Sequence, residues 1–131
     1  MKTIEKFEDI VAWQKARVMT QGIYECTRTG QFSRDYGLKD QIQRSSVSTM
    51  SNIAEGFERS GDNEFLQFLS TAKGSCGEVR SLLYVALDQA YITPVAFTEL
   101  SDRSAEVCRL IAGFMAYLRK SSFRGSKYRE G

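Results

Sequence analysis

The chain has 131 residues, enough for one domain with one hydrophobic core. Its 42% hydrophobic and 26% charged residues are typical of a soluble globular protein. It contains no histidine, which excludes imidazole-based triads, zinc sites with imidazole ligands and the Glu-x-x-His pairs of di-iron bundles. No apolar run reaches the roughly 18 residues of a membrane span, and the N-terminus lacks a signal-peptide core. The sequence therefore predicts a cytoplasmic protein with no membrane partner.

The three cysteines, Cys26, Cys76 and Cys108, form no Cys-x-x-Cys pair. An odd number without such a pair argues against a disulfide framework or a zinc site. Each lies on or beside an apolar helical stripe, so we expect small buried side chains and not reactive thiols, because no histidine is present to activate a thiolate. The chain also lacks a P-loop and a Gly-x-Gly-x-x-Gly motif, and we expect no cofactor.

The first predicted helix runs from about Phe7 to Thr29 and ends at Gly30. Steps of three and four residues separate its stripe of Ala12, Ala16, Met19, Ile23 and Cys26. The second predicted helix runs from about Leu38 to Arg59. Its apolar stripe is narrower, and it is rich in serine, alanine and glycine, which allow two helix axes to approach closely.

The third predicted helix carries the strongest signal, a heptad seam of Phe65, Leu69, Ala72, Cys76, Val79, Leu83, Ala86 and Ala90. Gly61 or Asp62 is its expected N-cap. Gly74 and Gly77 lie inside this helix, where each lowers helix stability by about 1 kcal/mol relative to alanine. We expect these glycines to permit close contact with the serine-rich second helix.

The fourth predicted helix has the seam Phe97, Leu100, Ser104, Val107, Ile111, Phe114 and Leu118. Thr93 is its expected N-cap and Pro94 its first residue. The short link before it requires antiparallel neighbours. The sequence thus predicts an all-α fold, an antiparallel up-down-up-down four-helix bundle over residues 1–120, followed by a basic, disordered tail over residues 121–131.

The third and fourth helices carry more apolar residues than one bundle requires. The additional ones are Leu66, Phe68, Leu82, Val85, Leu87, Cys108, Ala112 and Met115. They form either a broad stripe facing the core or a second buried side in a homo-oligomer, and the pattern favours the homo-oligomer.

A polar strip follows one face of the second helix in steps of three and four residues. Its members are Gln41, Arg44, Ser48, Asn52, Glu55 and Arg59. The strip is either a solvated face or a surface for another subunit or a ligand. The second interpretation includes an alternative function, a small-ligand-binding protein or enzyme with a polar cleft on this helix. No residue of the strip is an evident nucleophile or base, so we assign no catalytic residue.

The C-terminal segment is basic. Residues 119–131 hold five basic residues and one acidic residue, a net charge of +4, whereas the rest of the chain has a net charge of −2. The basic residues are Arg119, Lys120, Arg124, Lys127 and Arg129. Together with the aromatic rings of Phe123 and Tyr128 they are candidates for binding RNA or DNA, directly or beside a nucleic-acid-bound protein. The alternative is a solubilising terminus.

Several motifs resemble those of the four-helix-bundle proteins known as 23S rRNA intervening-sequence proteins: FEDIVAWQKA at 7–16, QIQRSSVSTMSNIAEGFER at 41–59, FLQFLSTAKGSCGEV at 65–79 and YIT at 91–93. The resemblance covers about residues 7–120. It implies a homo-oligomer, commonly a ring-shaped pentamer, with no established activity and no catalytic residues. A similar bundle accompanies diversity-generating retroelements as a basic pentamer that binds nucleic acid, whereas the body of this chain is mildly acidic. Our leading hypothesis is a non-enzymatic oligomeric scaffold associated with RNA or a ribonucleoprotein.

Overall fold

The computed structural model describes residues 4–120 and confirms the four helices. They are α1 (Val11–Thr27), α2 (Tyr36–Glu58), α3 (Asp62–Asp88) and α4 (Pro94–Lys120). Two short 3-10 turns, Phe7–Asp9 and Phe32–Arg34, precede α1 and α2. The described part of the chain contains no strand, so the fold is all-α.

Aromatic pairs between α3 and α4 show that the two helices are antiparallel. The ring of Phe65, near the start of α3, lies 5.4 Å from that of Phe114, near the end of α4. Tyr84, near the end of α3, lies 4.9 Å from Phe97, near the start of α4. Because α2 packs on α1 and α3, and α4 packs on α3 and α1, the four helices form a closed bundle.

The predicted heptad seams line the core. Leu69, Val79 and Ile111 are fully buried, and Phe114 is half-buried against them. Burial of a side chain of this size contributes about 1.5–3 kcal/mol relative to its exposure to water. The three- and four-residue spacing therefore identified the inner faces of α3 and α4 correctly.

Two side-chain caps fix where helices begin. Thr93 Oγ1 accepts a hydrogen bond from Ala96 N at 3.1 Å, which confirms the predicted N-cap of α4. Asp35 Oδ1 accepts from Leu38 N at 3.1 Å and caps α2. The other oxygen of Asp35 accepts from the Tyr91 hydroxyl at 2.9 Å, and this bond raises the pKa of Tyr91. Asp35 thus ties the start of α2 to the α3–α4 link.

The first helix is shorter than predicted. The segment Phe7–Asp9 is a separate 3-10 turn, and Ile10 has an extended backbone with φ −77° and ψ 120°. This bend lets both Ile4 and Ile10 reach the core, where they are buried. The helix also ends at Thr27 and not at Thr29.

The third helix ends before the last residue of its predicted seam. Ala90 is exposed and has φ 60°, whereas the helix ends at Asp88. The backbone N–H of Tyr91 donates to the Ala86 carbonyl at 2.9 Å, the closure that a left-handed residue after a helix makes. A left-handed alanine costs about 1–2 kcal/mol. Gly61 takes φ 91° at the N-cap of α3 without that penalty.

Candidate functional site

The polar strip lies largely along the junction between α2 and α3. Gln41 Nε2 donates to Glu78 Oε2 at 2.9 Å, and the Ser48 and Ser75 hydroxyls share a hydrogen bond of 3.0 Å. Asn52 Nδ2 donates to the carbonyl and the hydroxyl oxygen of Ser48, at 2.8 and 3.0 Å. Gln41 and Ser48 therefore bond α2 to α3, whereas the bonds of Asn52 stay within α2.

The C-terminal end of the strip is an ion-pair cluster. Arg59 lies 2.8 Å from Glu55 and 3.5 Å from Glu64 on α3, and its guanidinium lies 5.2 Å from the centre of the Phe68 ring. The hydrogen bond with Glu55 raises the pKa of Arg59. The three ionised groups are half exposed, so solvent screens this cluster strongly.

Arg44 lies on the side of the strip that faces α1. It is exposed and borders a shallow depression of about 500 Å³ that Tyr24, Asp40 and Ser48 also line. Gln41, Ser48 and Arg59 thus contact α3. Asn52 bonds to Ser48 and Glu55 to Arg59, and Arg44 lies toward α1. A role of the strip in binding stays a prediction.

The predicted close approach of α2 to a neighbour occurs at Gly56. A Cβ atom at Gly56 would lie 2.7 Å from Phe68 Cβ and 2.8 Å from Phe65 Cδ1. No side chain fits at these distances unless α3 moves. Gly56 therefore sets how closely the two helices pack.

The predicted contact of Gly74 and Gly77 with α2 is wrong. Both glycines are exposed, and a Cβ added to either would meet nothing within 4 Å. Ser75, between them, makes the contact with α2, because a step of 100° per residue turns its neighbours away from the junction. Gly113 on α4 is likewise exposed and surrounded by open space. Nothing within residues 4–120 gives these three glycines a packing reason.

Large apolar side chains are exposed on several helices. Val95 is 73% exposed and Val85 is 41% exposed, whereas two of the additional apolar residues, Leu82 and Met115, belong to the core. The sequence pattern gave no sign that Val95 is an exposed apolar residue, because Val95 lies outside the apolar seam of α4. Among residues 4–120, the exposed large apolar residues are Val18, Tyr36, Val47, Tyr84, Val85 and Val95.

An apolar groove lies between the start of α1 and the second half of α4. Its volume is about 270 Å³, and we call it the α1–α4 groove. Gly113 leaves it open, and Arg109 is its charged member. The other lining residues are Ile10, Val11, Ala12, Leu110, Phe114 and Tyr117.

The basic candidates fall on both sides of the last described residue. Arg119 and Lys120 are exposed in the last turn of α4, where positive charge interacts favourably with the helix dipole. Arg124, Lys127 and Arg129 lie outside the described residues, as does the predicted disordered tail.

The three thiols occupy different environments. Cys76 is fully buried, and its Sγ donates to the Ser104 carbonyl at 3.1 Å and lies 4.0 Å from Met19 Sδ. Cys26 and Cys108 are half-buried, and all three cysteines are free. The predicted full burial is therefore confirmed for Cys76 alone.

Residues 4–120 contain neither a metal-ligand cluster nor a membrane-spanning helix. No group of three or more histidine, cysteine, aspartate or glutamate side chains is placed to hold a metal ion there. None of the four helices combines the length and apolar character needed to cross a bilayer.

Residues 4–120 thus form an all-α four-helix bundle. Residues 8–113 match the family described as 23S rRNA-intervening sequence protein, and the chain belongs to that family. A crystal structure from Bacteroides thetaiotaomicron, a protein with unknown function from the S23 ribosomal protein family, has the same fold with a TM-score of 0.75. It is 20% identical, and the alignment covers 81% of this chain and 96% of that one. No curated protein matches the chain.

Proposed function

We propose that this protein is a non-enzymatic scaffold that assembles into a homo-oligomer through the outer faces of α3 and α4. The observation that carries the proposal is the open space around Gly74, Gly77 and Gly113. Each glycine inside a helix lowers stability by about 1 kcal/mol relative to alanine, and no neighbour among the described residues requires these three. A helix of a second copy, packed closely on these faces, gives the glycines a function.

The exposed apolar side chains support the same proposal. Val85 and Val95 lie on α3 and α4, and the α1–α4 groove offers a second apolar surface. Burial of exposed apolar surface lowers the free energy. Association with another copy that covers these side chains is therefore favourable. A ring of five copies is the assembly that the family resemblance implies.

The charges along α4 also suit contact between copies. Glu99 and Asp102 are exposed near its start, whereas Arg119 and Lys120 are exposed at its end. When the acidic part of one copy meets the basic part of another, the contact gains electrostatic complementarity and a defined orientation.

Native mass spectrometry and light scattering of the full chain test the assembly. We expect an oligomer at micromolar concentration, and we expect Gly77→Gln and Gly113→Gln to dissociate it, because the new side chains occupy the outer faces. Gly37→Gln is the control, since Gly37 is also exposed in a helix but lies at the start of α2. A monomeric wild-type chain would refute the proposal, and an oligomer unaffected by both variants would refute the assigned faces.

We further propose that the assembled scaffold binds RNA, or a ribonucleoprotein, through its basic C-terminal residues. Support comes from the net charge of +4 on residues 119–131 and from the exposed Arg119 and Lys120 at the end of α4. An oligomer repeats this charge in every copy, so weak contacts with phosphates add together.

A comparison of the full chain with a version that ends at Leu118 tests the RNA proposal. We expect the full chain to bind a single-stranded RNA at low salt, with an affinity that falls steeply as salt is raised, and the shortened version to bind at least tenfold more weakly. Light scattering must show equal assembly of the two versions. Equal binding by both, or no binding at low salt, would refute the role of the basic residues.

A further inference from the structure

The α1–α4 groove is an apolar depression that residues 4–120 leave open. The half-buried side chains of Leu110, Phe114 and Tyr117 line it, and Gly113 adds no side chain to fill it. Its volume of about 270 Å³ has room for one aromatic side chain. Because these side chains are apolar and only half-buried, an apolar occupant that covers them lowers the free energy.

One end of the groove carries a positive charge. Arg109 borders the groove, is exposed and forms no ion pair with any other residue among 4–120. It lies about one helical turn before Gly113 on α4. An occupant with a carboxylate at this end of the groove therefore gains an ion pair with Arg109.

The opposite end of the groove lies beside an acidic stretch. The helices α1 and α4 are antiparallel, because Gly22 adjoins Leu100 near the start of α4, whereas Ile10 lines the groove near the end of α4. Residues 5–9, directly before Ile10, hold three acidic residues and one basic residue, a net charge of −2. Positive charge on an occupant is therefore favourable at this end.

The C-terminal segment, residues 121–131, has a sequence that supplies this combination. It lies outside the described residues, and it contains one tyrosine, Tyr128, two residues before its only acidic residue, Glu130. Three basic residues and one acidic residue give the segment a net charge of +2. A tyrosine suits a groove that is open to water, because its ring is apolar and its hydroxyl can stay hydrated. Composition alone predicts a disordered tail, whereas the groove offers contacts that composition does not show.

The C-terminal segment is long enough to return to the groove. The helix α4 ends at Lys120, and a rise of 1.5 Å per residue puts Gly113 about 10 Å back along it. Tyr128 lies eight residues after Lys120. If about four of these residues form the reversal, the others span about 13 Å in an extended chain. Phe123, three residues after Lys120, is too close to the end of α4 to reach Gly113.

We propose that the α1–α4 groove binds the C-terminal segment of the same chain, extended and antiparallel to α4. The ring of Tyr128 covers Gly113. Glu130 then meets Arg109, because two extended residues span about 6.6 Å and the helix rises about 6 Å over the four residues from Gly113 to Arg109. The same register directs the basic residues before Tyr128 toward the acidic stretch. The contact forms within one copy, so it is separate from the proposed assembly.

Chymotrypsin cleavage of the full chain tests the docking, because this protease cuts after aromatic residues and needs an accessible segment. Phe123 and Tyr128 are each followed by arginine, so the two sites are matched. Initial rates come from intact mass spectrometry, and each is divided by the rate in a free peptide of residues 119–131. We expect the chain to slow cleavage after Tyr128 about tenfold more than cleavage after Phe123. Equal slowing at both sites would overturn the proposal.

Two glycine variants test whether the groove causes the protection of Tyr128. Gly113→Gln fills the groove, so we expect cleavage after Tyr128 to approach the rate in the free peptide. Gly77→Gln is the matched control, since Gly77 is also an exposed helical glycine with open space but lies on α3, outside the groove. Protection should persist in this control, although we expect it to dissociate the proposed assembly. Protection that survives Gly113→Gln, or that both variants abolish equally, would overturn the role of the groove.

Charge reversal tests the register. Arg109→Glu should raise the relative rate of cleavage after Tyr128 about threefold, a modest change because the ion pair is exposed to solvent. The combination of Arg109→Glu with Glu130→Arg should restore the protection, with the same tail substitution in the reference peptide. A double variant cleaved as fast as Arg109→Glu alone would overturn the pairing.

Dilution identifies the copy that supplies the segment. At a concentration at which native mass spectrometry finds only monomers, we expect Tyr128 to stay protected. Loss of protection on dilution would overturn the assignment to the same chain, in favour of the segment of a second copy. A wild-type chain that is monomeric at every concentration but protected would refute the proposed assembly and support the docking, so the two failures are distinguishable.

Discussion

Gly56 and Gly77 are both glycines inside long helices, but they face opposite environments. Gly56 is buried where α2 meets α3, and a methyl group there would collide with Phe65 and Phe68. Gly77 is exposed on α3, and a methyl group there would meet nothing. The residue type is the same, yet of these two glycines only Gly56 has a packing neighbour among the described residues that requires it. The difference separates what folding one copy requires from what a contact between copies would require.

The largest change in the free energy of unfolding is expected for a substitution of Gly56. Gly56→Ala places a methyl group 2.7 Å from Phe68 Cβ, an atom that moves only with the helix, so we expect a loss of about 2 kcal/mol in the free energy of unfolding. Gly22→Ala is the control, because its nearest atoms, at 2.8 and 2.9 Å, are the ends of the flexible side chains Leu100 and Arg103. Urea unfolding should show a change at Gly22 below about 1 kcal/mol. An equal loss at both positions would contradict this account of the α2–α3 junction.

On the outer face of α3, by contrast, replacing glycine with alanine is expected to stabilise the monomer. Gly74→Ala and Gly77→Ala should each raise the free energy of unfolding of the monomer by about 1 kcal/mol, because alanine is the better helix former and the added methyl group has open space. Urea unfolding must be measured at a concentration at which variant and wild type are both monomeric. Destabilisation of the monomer would mean that the space around these glycines is not open.

The smallest effect is expected at Ala90, where the backbone has a conformation suited to glycine but the residue is alanine. Ala90→Gly should raise the free energy of unfolding by about 0.5–1 kcal/mol, since glycine removes the left-handed strain but adds freedom to the unfolded chain. The shift of the thermal midpoint measures this gain. Ala116→Gly, at an exposed position inside α4, is the matched control and should lower stability by a similar amount.

The sequence predicted the helices best where a long apolar period coincided with a clear boundary signal. Thr93 and Pro94 located the start of α4 to the residue. The sequence predicted helix boundaries less well where a change of backbone conformation depends on contacts with distant residues. The bend at Ile10 accompanies the burial of both Ile10 and Ile4 in the core. Ile4 lies outside the predicted helix, so the helical period gave no sign of this contact.

The candidate sites were less predictable than the helices. Steps of three and four residues placed the polar strip on one face of α2, and its residues Gln41 and Ser48 do hydrogen-bond to side chains of α3. The same spacing could not reveal that Glu78 and Ser75 are their partners, because a period locates a face of a helix but not the neighbour that covers it.

The sequence by itself determined the fold class, the number of helices and the inner faces of α3 and α4, because the periodicity of apolar side chains is a local property of the chain. The tertiary structure alone decided which glycines are enclosed and which are open, and which thiol is fully buried. Those outcomes depend on how the helices are rotated and spaced against one another. That geometry results from the packing of side chains that are far apart in the sequence.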